Sequence, residues 1–431
     1  MAKTPSRVLR GASWSVVDQA LSAVSNLGLS VVVARSVSAQ DFGAFAIAFV
    51  TFGIGIAVTK AVVGQPLQIR YSGESRLNQQ TAAAEALGCA VLLGLAGSVV
   101  LGAVSVVAGP VVGSAMLALA VVLPALLVQD SCRMTMFAIG VPRQAALIDL
   151  VWVVVQFAAI FIALTRGNAS MPALIGIWGG SAALSAVVGL ALLRVRPRVI
   201  AGWAWLVEHR NLTHYLFAEY VLGLGAMQVA ILLVGAIASA SAVGALRAAQ
   251  VLLGPLGIVG LALFQFAVPE VARSAARPQQ LTRVALLLSS TLGVLTLVYG
   301  VVLLLLPDTI GVFLFGETWA GAQAVLVAMT LSSLASACAN GPASVLYGMG
   351  QARATFRINL MKGPVLLVTV LIGTWWWGSI GAAVALAFTE IAVLPAWLVT
   401  LRRFQRTRDS MISVSRDQPR GQRQETATAR E

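Results

Sequence analysis

Charged side chains inside long apolar segments are the residues of this chain that are best suited to chemistry. Of its 431 residues, 58% are hydrophobic and only 10% are charged, and a charge surrounded by hydrocarbon is costly unless it has a function or a partner. Arg247 is the cation that lies deepest in such a segment, and a guanidinium can bind a phosphate through two parallel hydrogen bonds. We therefore predict that Arg247 binds an anionic group. Snorkelling to the outer interface and an internal ion pair are the alternatives.

Three further cations and four carboxylates complete the set of charged candidates. Lys60, Arg133 and Lys362 lie at the predicted inner ends of apolar segments, where most cations only fix topology, so they are secondary candidates for substrate binding. The predicted ion-coupling carboxylates, which could hold a proton or Na⁺, are Asp18, Glu219, Asp130 and Glu390. The alternatives are pairing with arginines at the inner edge for the first two, and a structural hydrogen bond in the protonated form for the last.

The first apolar segment carries a polar face. Polar residues recur there at the spacings of three and four that define one side of a helix: Ser15, Asp18, Gln19, Ser22, Ser25, Asn26 and Ser30. A helix surrounded by lipid would not carry such a face, so we predict that it lines a water-filled cleft. The alternative is packing of serines between helices. The predicted cleft-lining residues are Gln19, Ser22, Asn26 and, from the internal repeat described below, Asn340.

These residues need membrane-spanning helices to position them. About 20 apolar residues cross a bilayer as a helix, and hydropathy together with helix-breaking residues, such as Gly109-Pro110, predicts about twelve spans. They are placed near 13–34, 42–59, 82–107, 111–132, 145–165, 172–193, 213–236, 242–268, 284–306, 321–347, 358–377 and 379–401. The predicted fold class is therefore an all-α polytopic membrane protein.

The distribution of positive charge predicts the orientation. The formal net charge is +13, which taken alone would suggest a nucleic-acid partner. If the N-terminus is cytoplasmic, however, 26 of the 29 Lys and Arg residues fall in cytoplasmic segments, as the positive-inside rule requires. We therefore predict cytoplasmic N- and C-termini, contact with anionic membrane lipids and no nucleic-acid partner.

An internal repeat predicts two related halves. Residues 38–53 recur as 239–254 with seven of sixteen positions identical, and the same offset of 201 matches Asp18 to Glu219. A second offset of 210 matches Asp130 to Asn340 and Asp149 to Asn359. Duplicated bundles of this kind flank a site near the middle of the bilayer. The predicted organisation is a six-helix lobe at 1–193, a cytoplasmic interfacial connector at 194–212, a second six-helix lobe at 213–401 around a central cleft, and a disordered basic tail at 402–431.

Motifs for catalysis and cofactor binding are missing from the sequence. It has no Walker A motif, no complete dinucleotide fingerprint and no Ser/His/Asp or Cys/His grouping. The three cysteines lie in apolar segments without metal-ligand spacing. We therefore predict a protein that is not an enzyme, has no cofactor or metal, and does not hydrolyse ATP.

Short motifs at the start and after the fourth span resemble a known family. Gly11-Ala-Ser-Trp-Ser15, Ala34-Arg35, Asp41-Phe-Gly-Ala-Phe45 and Gly140…Arg143…Asp149, with its echo at Gly350…Arg353…Asn359, resemble the polysaccharide-transport branch of the multidrug/oligosaccharidyl-lipid/polysaccharide (MOP) exporter superfamily, which includes O-antigen flippases. The resemblance implies a twelve-helix, two-lobed flippase of the bacterial cytoplasmic membrane. Its substrate would be a polyprenyl-pyrophosphate-linked oligosaccharide moved by alternating access. The resemblance also implies coupling of transport to an ion gradient, and envelope-glycan assembly proteins as partners.

Two other functions stay open at this stage. A multidrug/cation antiporter of the same superfamily would have an acidic, aromatic cleft. A membrane-embedded polysaccharide polymerase or glycosyltransferase would have a long outer loop rich in arginine or carboxylate, and the sequence has no such loop, so the enzyme ranks last.

Overall fold

A computed structural model describes residues 5–71, 74–211, 213–214, 217, 225–273 and 278–417 of the chain. Within these ranges only the backbone is described for residues 5–20, 265–266, 269–270, 272–273, 278–280, 352 and 407–417. Every regular element in the described ranges is a helix.

The helices, in chain order, are α1 (Pro5–Ser36), α2 (Ala39–Thr59), α3 (Gln65–Tyr71), α4 (Arg76–Val107), α5 (Pro110–Ile139), α6 (Pro142–Thr165), α7 (Met171–Leu193), α8 (Val199–Glu208), α9 (Ala226–Ile237), α10 (Ala240–Arg273), α11 (Pro278–Leu304), α12 (Asp308–Phe315), α13 (Trp319–Gly348) and α14 (Ala352–Asp417). A π-helical segment, Lys60–Gly64, joins α2 to α3. A short 3-10 helix, Gly316–Thr318, joins α12 to α13.

The described helices agree with the predicted spans. Nine helices in the described ranges are long and apolar enough to cross a membrane. One of these, within α14, is two spans, because Trp377 and Gly378 leave the helical conformation with φ values of −134° and 56°. Shorter apolar helices, Leu21–Ser36 and Ala226–Ile237, lie where the first and seventh spans are predicted. All twelve predicted positions therefore coincide at least in part with a helix, and the prediction of an all-α multi-pass membrane protein is confirmed.

The break between α4 and α5 shows how the sequence separates two spans. Gly109 has a φ of 75°, which a residue without a Cβ adopts without strain. Pro110 follows as the first residue of α5, where its missing N–H would have had no helical partner anyway. The Gly109-Pro110 pair thus ends one apolar helix and starts the next, as predicted.

The chain forms two compact units. The larger unit comprises Met1–Gly254, Val302–Met329 and Gly363–Leu386, and the smaller comprises Pro255–Val301, Thr330–Lys362 and Ala387–Glu431. The larger unit contains the predicted N-terminal lobe and connector, whereas segments of the predicted 213–401 lobe occur in both units. The two lobes and the tail therefore remain predictions.

One side of helix α8, in the predicted connector, packs against α4 and the π-helical segment. The indole Nε1 of Trp205 donates to the carbonyl of Val62 at 3.0 Å, and this carbonyl belongs to the π-helical segment. A Cβ added to Gly202 would overlap the main chain at Gly88 of α4, so the two backbones touch there. The opposite side of α8 exposes Ile200 and Trp203.

Candidate functional site

A polar pocket of about 210 Å³ lies inside the larger unit. It is walled by residues of α1, α2, α5, α6 and α7. The lining residues are Ser22, Ser25, Asn26, Phe52, Ile56, Gln129, Asp130, Arg133, Asp149, Trp152, Val153 and Trp178. Two of the predicted cleft-lining residues, Ser22 and Asn26, are among them, so the polar face of α1 faces this pocket over its described part.

Asp149 of α6 accepts hydrogen bonds from two sides of the pocket. The hydroxyl of Ser22 donates to Oδ2 at 2.8 Å, and the amide of Gln129 donates to Oδ1 at 2.9 Å. The Asp149 side chain is buried. Both carboxylate oxygens of Asp149 therefore serve as hydrogen-bond acceptors.

Asp130 on the neighbouring helix α5 has a hydrogen-bond partner for one of its two carboxylate oxygens. Its Oδ1 accepts a hydrogen bond from Nη2 of Arg133, three residues later, at 2.7 Å. Its Oδ2 is buried and has no hydrogen-bond partner among the described residues. An unsatisfied buried oxygen of this kind costs free energy, and it offers a coordination position to a proton or a small cation.

The charges of the ionisable side chains that line this polar pocket do not sum to zero, and we call it the acidic pocket for that reason. In their usual ionised forms Asp130 and Asp149 contribute two negative charges and Arg133 contributes one positive charge. The resulting excess of one negative charge sits among apolar helices, where uncompensated charge is expensive. The arrangement can therefore bind one monovalent cation or one proton.

Arg247 of α10 forms a second polar site in the same unit. Its guanidinium carbon lies 3.9 Å from the centroid of the Phe49 ring, and its Nη2 donates to the hydroxyl oxygen of Ser30 across a long 3.4 Å. Its Nε is buried and has no hydrogen-bond partner among the described residues. No described carboxylate forms an ion pair with it. A guanidinium has five N–H donors, so Arg247 keeps donors for an anion.

Aromatic rings connect Arg247 with the polar pocket. The Phe49 ring stacks on Trp178 with centroids 5.6 Å apart and an interplanar angle of 20°. Trp178 in turn meets Phe52 edge to face at 4.8 Å, and both of these residues line the pocket. The guanidinium of Arg247 and the acidic pocket are therefore connected through the side chains of Phe49, Trp178 and Phe52.

Two predicted anion-binding cations instead pair with two predicted coupling carboxylates. Arg133 is bound to Asp130, as described. Lys362 lies 2.5 Å from Glu390 within the smaller unit, and both side chains are partly exposed. Each of these two cations is therefore neutralised by a carboxylate. Lys60 begins the π-helical segment and has no ion pair with a described residue.

The remaining predicted site residues lie in the smaller unit or outside the described side chains. The amide nitrogen of Asn340 donates to the carbonyl of Gly260 at 3.3 Å, and the hydroxyl of Ser344 donates to the Asn340 carbonyl side-chain oxygen at 3.4 Å. Asp18, Gln19 and Glu219 lie outside the described side chains.

Sequence reasoning missed Asp149, Gln129 and the aromatic residues Phe49 and Trp178 as site residues. A usable signal for the first two was the turn at residues 140–141. Antiparallel helices joined by a short turn bring residues at similar distances from it to the same level, and Gln129 and Asp149 lie on its two sides. The aromatic stack has no comparable signal, because α2, α7 and α10 are far apart in sequence.

Comparison with known proteins identifies the fold. No family model and no curated protein sequence matches the chain. Among solved structures, the lipid II flippase MurJ in an inward closed conformation aligns with a TM-score of 0.70 at 13% identity, covering 91% of this chain and 87% of that one. An inward-facing multidrug resistance MATE transporter of the MOP superfamily aligns at 0.65 and 11% identity, covering 89% and 94%.

A third structure extends the same comparison. A MOP-superfamily transporter from Pyrococcus furiosus, described as having a binding pocket of reverse polarity, aligns at 0.59 and 11% identity, covering 93% and 95%. These proteins are transporters rather than enzymes, and their folds span nearly the whole chain. The chain therefore has the fold of the MOP-superfamily transporters.

Proposed function

We propose that the protein is a flippase that moves a polyprenyl-pyrophosphate-linked oligosaccharide across the bacterial cytoplasmic membrane by alternating access. The observation that carries the proposal is Arg247, a cation in an apolar helix with an unsatisfied buried donor and no described carboxylate beside it. Burying such a group without a partner costs free energy that a bound anion would recover.

Arg247 is suited to a phosphate group in particular. The face of its guanidinium lies on the Phe49 ring, a cation–π contact that holds the plane of the group and does not use the N–H donors at its edge. N–H donors along that edge match two oxygens of a phosphate. A pyrophosphate headgroup therefore fits this site better than a neutral sugar or a cation does.

The substrate needs such a site because it cannot cross the membrane unaided. The hydrocarbon core is about 30 Å thick, and a sugar pyrophosphate would lose its hydration there without compensation. Transport by this fold would shelter the headgroup on polar residues, while the polyprenyl chain stays in lipid.

The acidic pocket supplies the coupling site in this proposal. Its excess negative charge, with Oδ2 of Asp130 unsatisfied, favours a proton or Na⁺. Because Phe49 and Trp178 connect this pocket with Arg247, occupancy of one site can shift the side chains at the other. The coupling carboxylates are then Asp130 and Asp149. Lys362 and Glu390, as a neutralised pair, serve the stability of the smaller unit instead.

One observation favours a second candidate, a multidrug/cation antiporter. The acidic pocket has aromatic walls formed by Phe52, Trp152 and Trp178, and aromatic faces attract organic cations. In this alternative the pocket is the drug site. Its volume of about 210 Å³, however, lies below the roughly 300 Å³ at which small-molecule pockets begin, so we rank it second.

Transport by the purified protein in proteoliposomes distinguishes the two functions. One set of vesicles carries a fluorescent polyprenyl-pyrophosphate oligosaccharide and the other is loaded with ethidium as an organic cation. We expect movement of the lipid-linked sugar, its loss in Arg247→Ala, and its retention in the control Arg166→Ala, which removes an exposed arginine at a helix end. Ethidium export that persists in Arg247→Ala, with no movement of the sugar, would instead establish the antiporter.

A further inference from the structure

A second pocket in the larger unit lies at one end of the helix bundle, away from the acidic pocket. It has a volume of about 420 Å³, within the roughly 300 to 1,000 Å³ range of ligand sites. Residues of α4, α5, α6 and α7 form it together with the turn between α5 and α6, and we call it the basic-end pocket. Its lining residues are Arg76, Gln79, Gln80, Ile139, Gly140, Val141, Gln144, Leu192, Leu193 and Arg194.

The charged residues that line the basic-end pocket are both positive. Arg76 and Arg194 line it, and no carboxylate does. Neither arginine forms an ion pair or side-chain hydrogen bond with a described residue. The helices α4 and α6 both begin at its rim, without an acidic residue in either first turn. Helix N-termini carry partial positive charge, and Arg76 at the start of α4 adds like charge. The nearest carboxylate in the sequence, Glu74, does not line the pocket and accepts a hydrogen bond from the amide of Asn78.

The backbone conformation of Arg194 is a second, independent observation about this residue. Arg194 ends α7 with φ 55° and ψ 39°, and it is the one residue other than glycine with positive φ in the described part of the chain. The N–H of Val195 donates to the carbonyl of Leu190, which is the helix ending that normally has glycine at this position. The strained backbone of a residue other than glycine is consistent with a function of its side chain.

Neighbouring residues place the basic-end pocket at the level of lipid headgroups. Helix α8 begins five residues after Arg194, and its undocked face exposes 96% of Ile200, 65% of Trp203 and 48% of Val207. Apolar residues at such helical spacing are typical of a helix lying in the membrane interface. Leu77, next to Arg76, is 73% exposed. A pocket at this level meets lipid phosphates, whereas one deeper in the bundle would not.

We propose that the basic-end pocket binds the phosphate of an anionic phospholipid headgroup. The guanidinium groups of Arg76 and Arg194 are its charged ligands, and the amide of Gln144 is a neutral donor. Basic pockets between membrane helices bind such headgroups through this combination of charge and hydrogen bonding. Leu192 and Leu193 form the apolar wall beside the glycerol backbone of the lipid. The site is separate from Arg247 and does not depend on the identity of the transported substrate.

The test compares lipid binding by the wild-type protein and by Arg76→Gln/Arg194→Gly in a neutral detergent. The glycine relieves the positive φ, so the variant should melt at or above the wild-type temperature before lipid is added. Titration with phosphatidylglycerol should raise the melting temperature of the wild type, while phosphatidylcholine should leave it unchanged. The apparent affinity for phosphatidylglycerol should fall roughly 30-fold in the double variant, given about 1 kcal/mol for each arginine near an anionic headgroup.

Two controls decide the interpretation. Arg196→Gln removes an exposed arginine close in sequence that does not line the pocket, and it should retain the full effect of phosphatidylglycerol. Inorganic phosphate at the same concentration should have no effect on the wild type. An undiminished response of the double variant would overturn the proposed site, and an equal response to inorganic phosphate would overturn the assignment to a lipid.

Discussion

Arg247 and Lys362 both lie in apolar helices, yet their surroundings are opposite in kind. Lys362 has the carboxylate of Glu390 at 2.5 Å. Arg247 has an aromatic face, one long hydrogen bond to a hydroxyl and an unsatisfied Nε. The charges of an ion pair inside a protein compensate each other. A guanidinium without a carboxylate partner instead keeps N–H donors that an anion can use. A charged residue in an apolar segment thus belongs to an ion pair in one helix and to the proposed anion site in the other.

Disruption of the Asp130–Arg133 pair should have the largest effect on stability among the variants proposed here. Its side chains are 4% and 12% exposed, so Asp130→Asn removes the carboxylate charge from beside a nearly buried arginine. We expect the free energy of unfolding to fall by about 3 kcal/mol, the lower end for broken buried pairs. Thermal unfolding in detergent, with Asp149→Asn as the matched isosteric control, measures this. Equal melting temperatures for the two variants would contradict the assigned role of the pair.

The Lys362–Glu390 pair should respond in the same direction but less strongly. Its side chains are 30% and 22% exposed, and water screens exposed pairs, so Lys362→Met should lower the free energy of unfolding by about 1 kcal/mol. The double variant Lys362→Met/Glu390→Leu should recover most of this loss, because no unpaired charge remains. A double variant less stable than Lys362→Met, measured by thermal unfolding, would show that the pair does more than neutralise itself.

Asp149→Asn separates the charge of the acidic pocket from its packing. The amide keeps an oxygen for the Gln129 donor and can donate to Ser22, so we expect little change in stability. The excess negative charge disappears, however, and with it the site for one cation. Transport in proteoliposomes should lose most of its dependence on an imposed Na⁺ or proton gradient. Full retention of that dependence would place the coupling ion elsewhere.

Phe49→Leu should have the smallest effect of these variants, and we expect it on the affinity for the anionic headgroup. It removes the cation–π contact with Arg247 and the stack on Trp178 but keeps an apolar side chain. A partly buried cation–π contact contributes about 1 kcal/mol, which corresponds to roughly a fivefold loss of affinity for the anionic headgroup. Phe52→Leu, which alters the same aromatic group without touching Arg247, is the matched control, and an equal loss in both variants would argue against a specific contact.

The sequence predicts the helices of this molecule far better than the contacts between them. Apolar segments separated by residues such as Gly109-Pro110 are enough to place the spans, because backbone hydrogen bonds in lipid must be made within each helix. The Arg133–Asp130 pair was also within reach, since residues three apart face each other on a helix.

Contacts across helices are different, because they depend on packing rather than on local spacing. Lys362 and Glu390 are 28 residues apart on two arms of α14, and their pairing follows from the break at Trp377–Gly378 together with the rotation of each arm. The contact of Arg247 with Phe49 joins helices from different parts of the chain, and the local sequence of neither helix predicts it. Composition and charge patterning therefore identify which residues are unusual, but only the packed structure shows which of them are already satisfied.

Binding of a short-chain polyprenyl pyrophosphate to detergent-solubilised protein tests the central claim most directly. Quenching of tryptophan fluorescence gives the affinity, and Arg247→Met is compared with Lys362→Met/Glu390→Leu. Loss of charge-assisted hydrogen bonds predicts that Arg247→Met binds roughly 10- to 100-fold more weakly, while the variant without the ion pair binds as the wild type does. Equal affinity of the wild type and Arg247→Met would contradict the claim that this unpaired guanidinium holds the substrate.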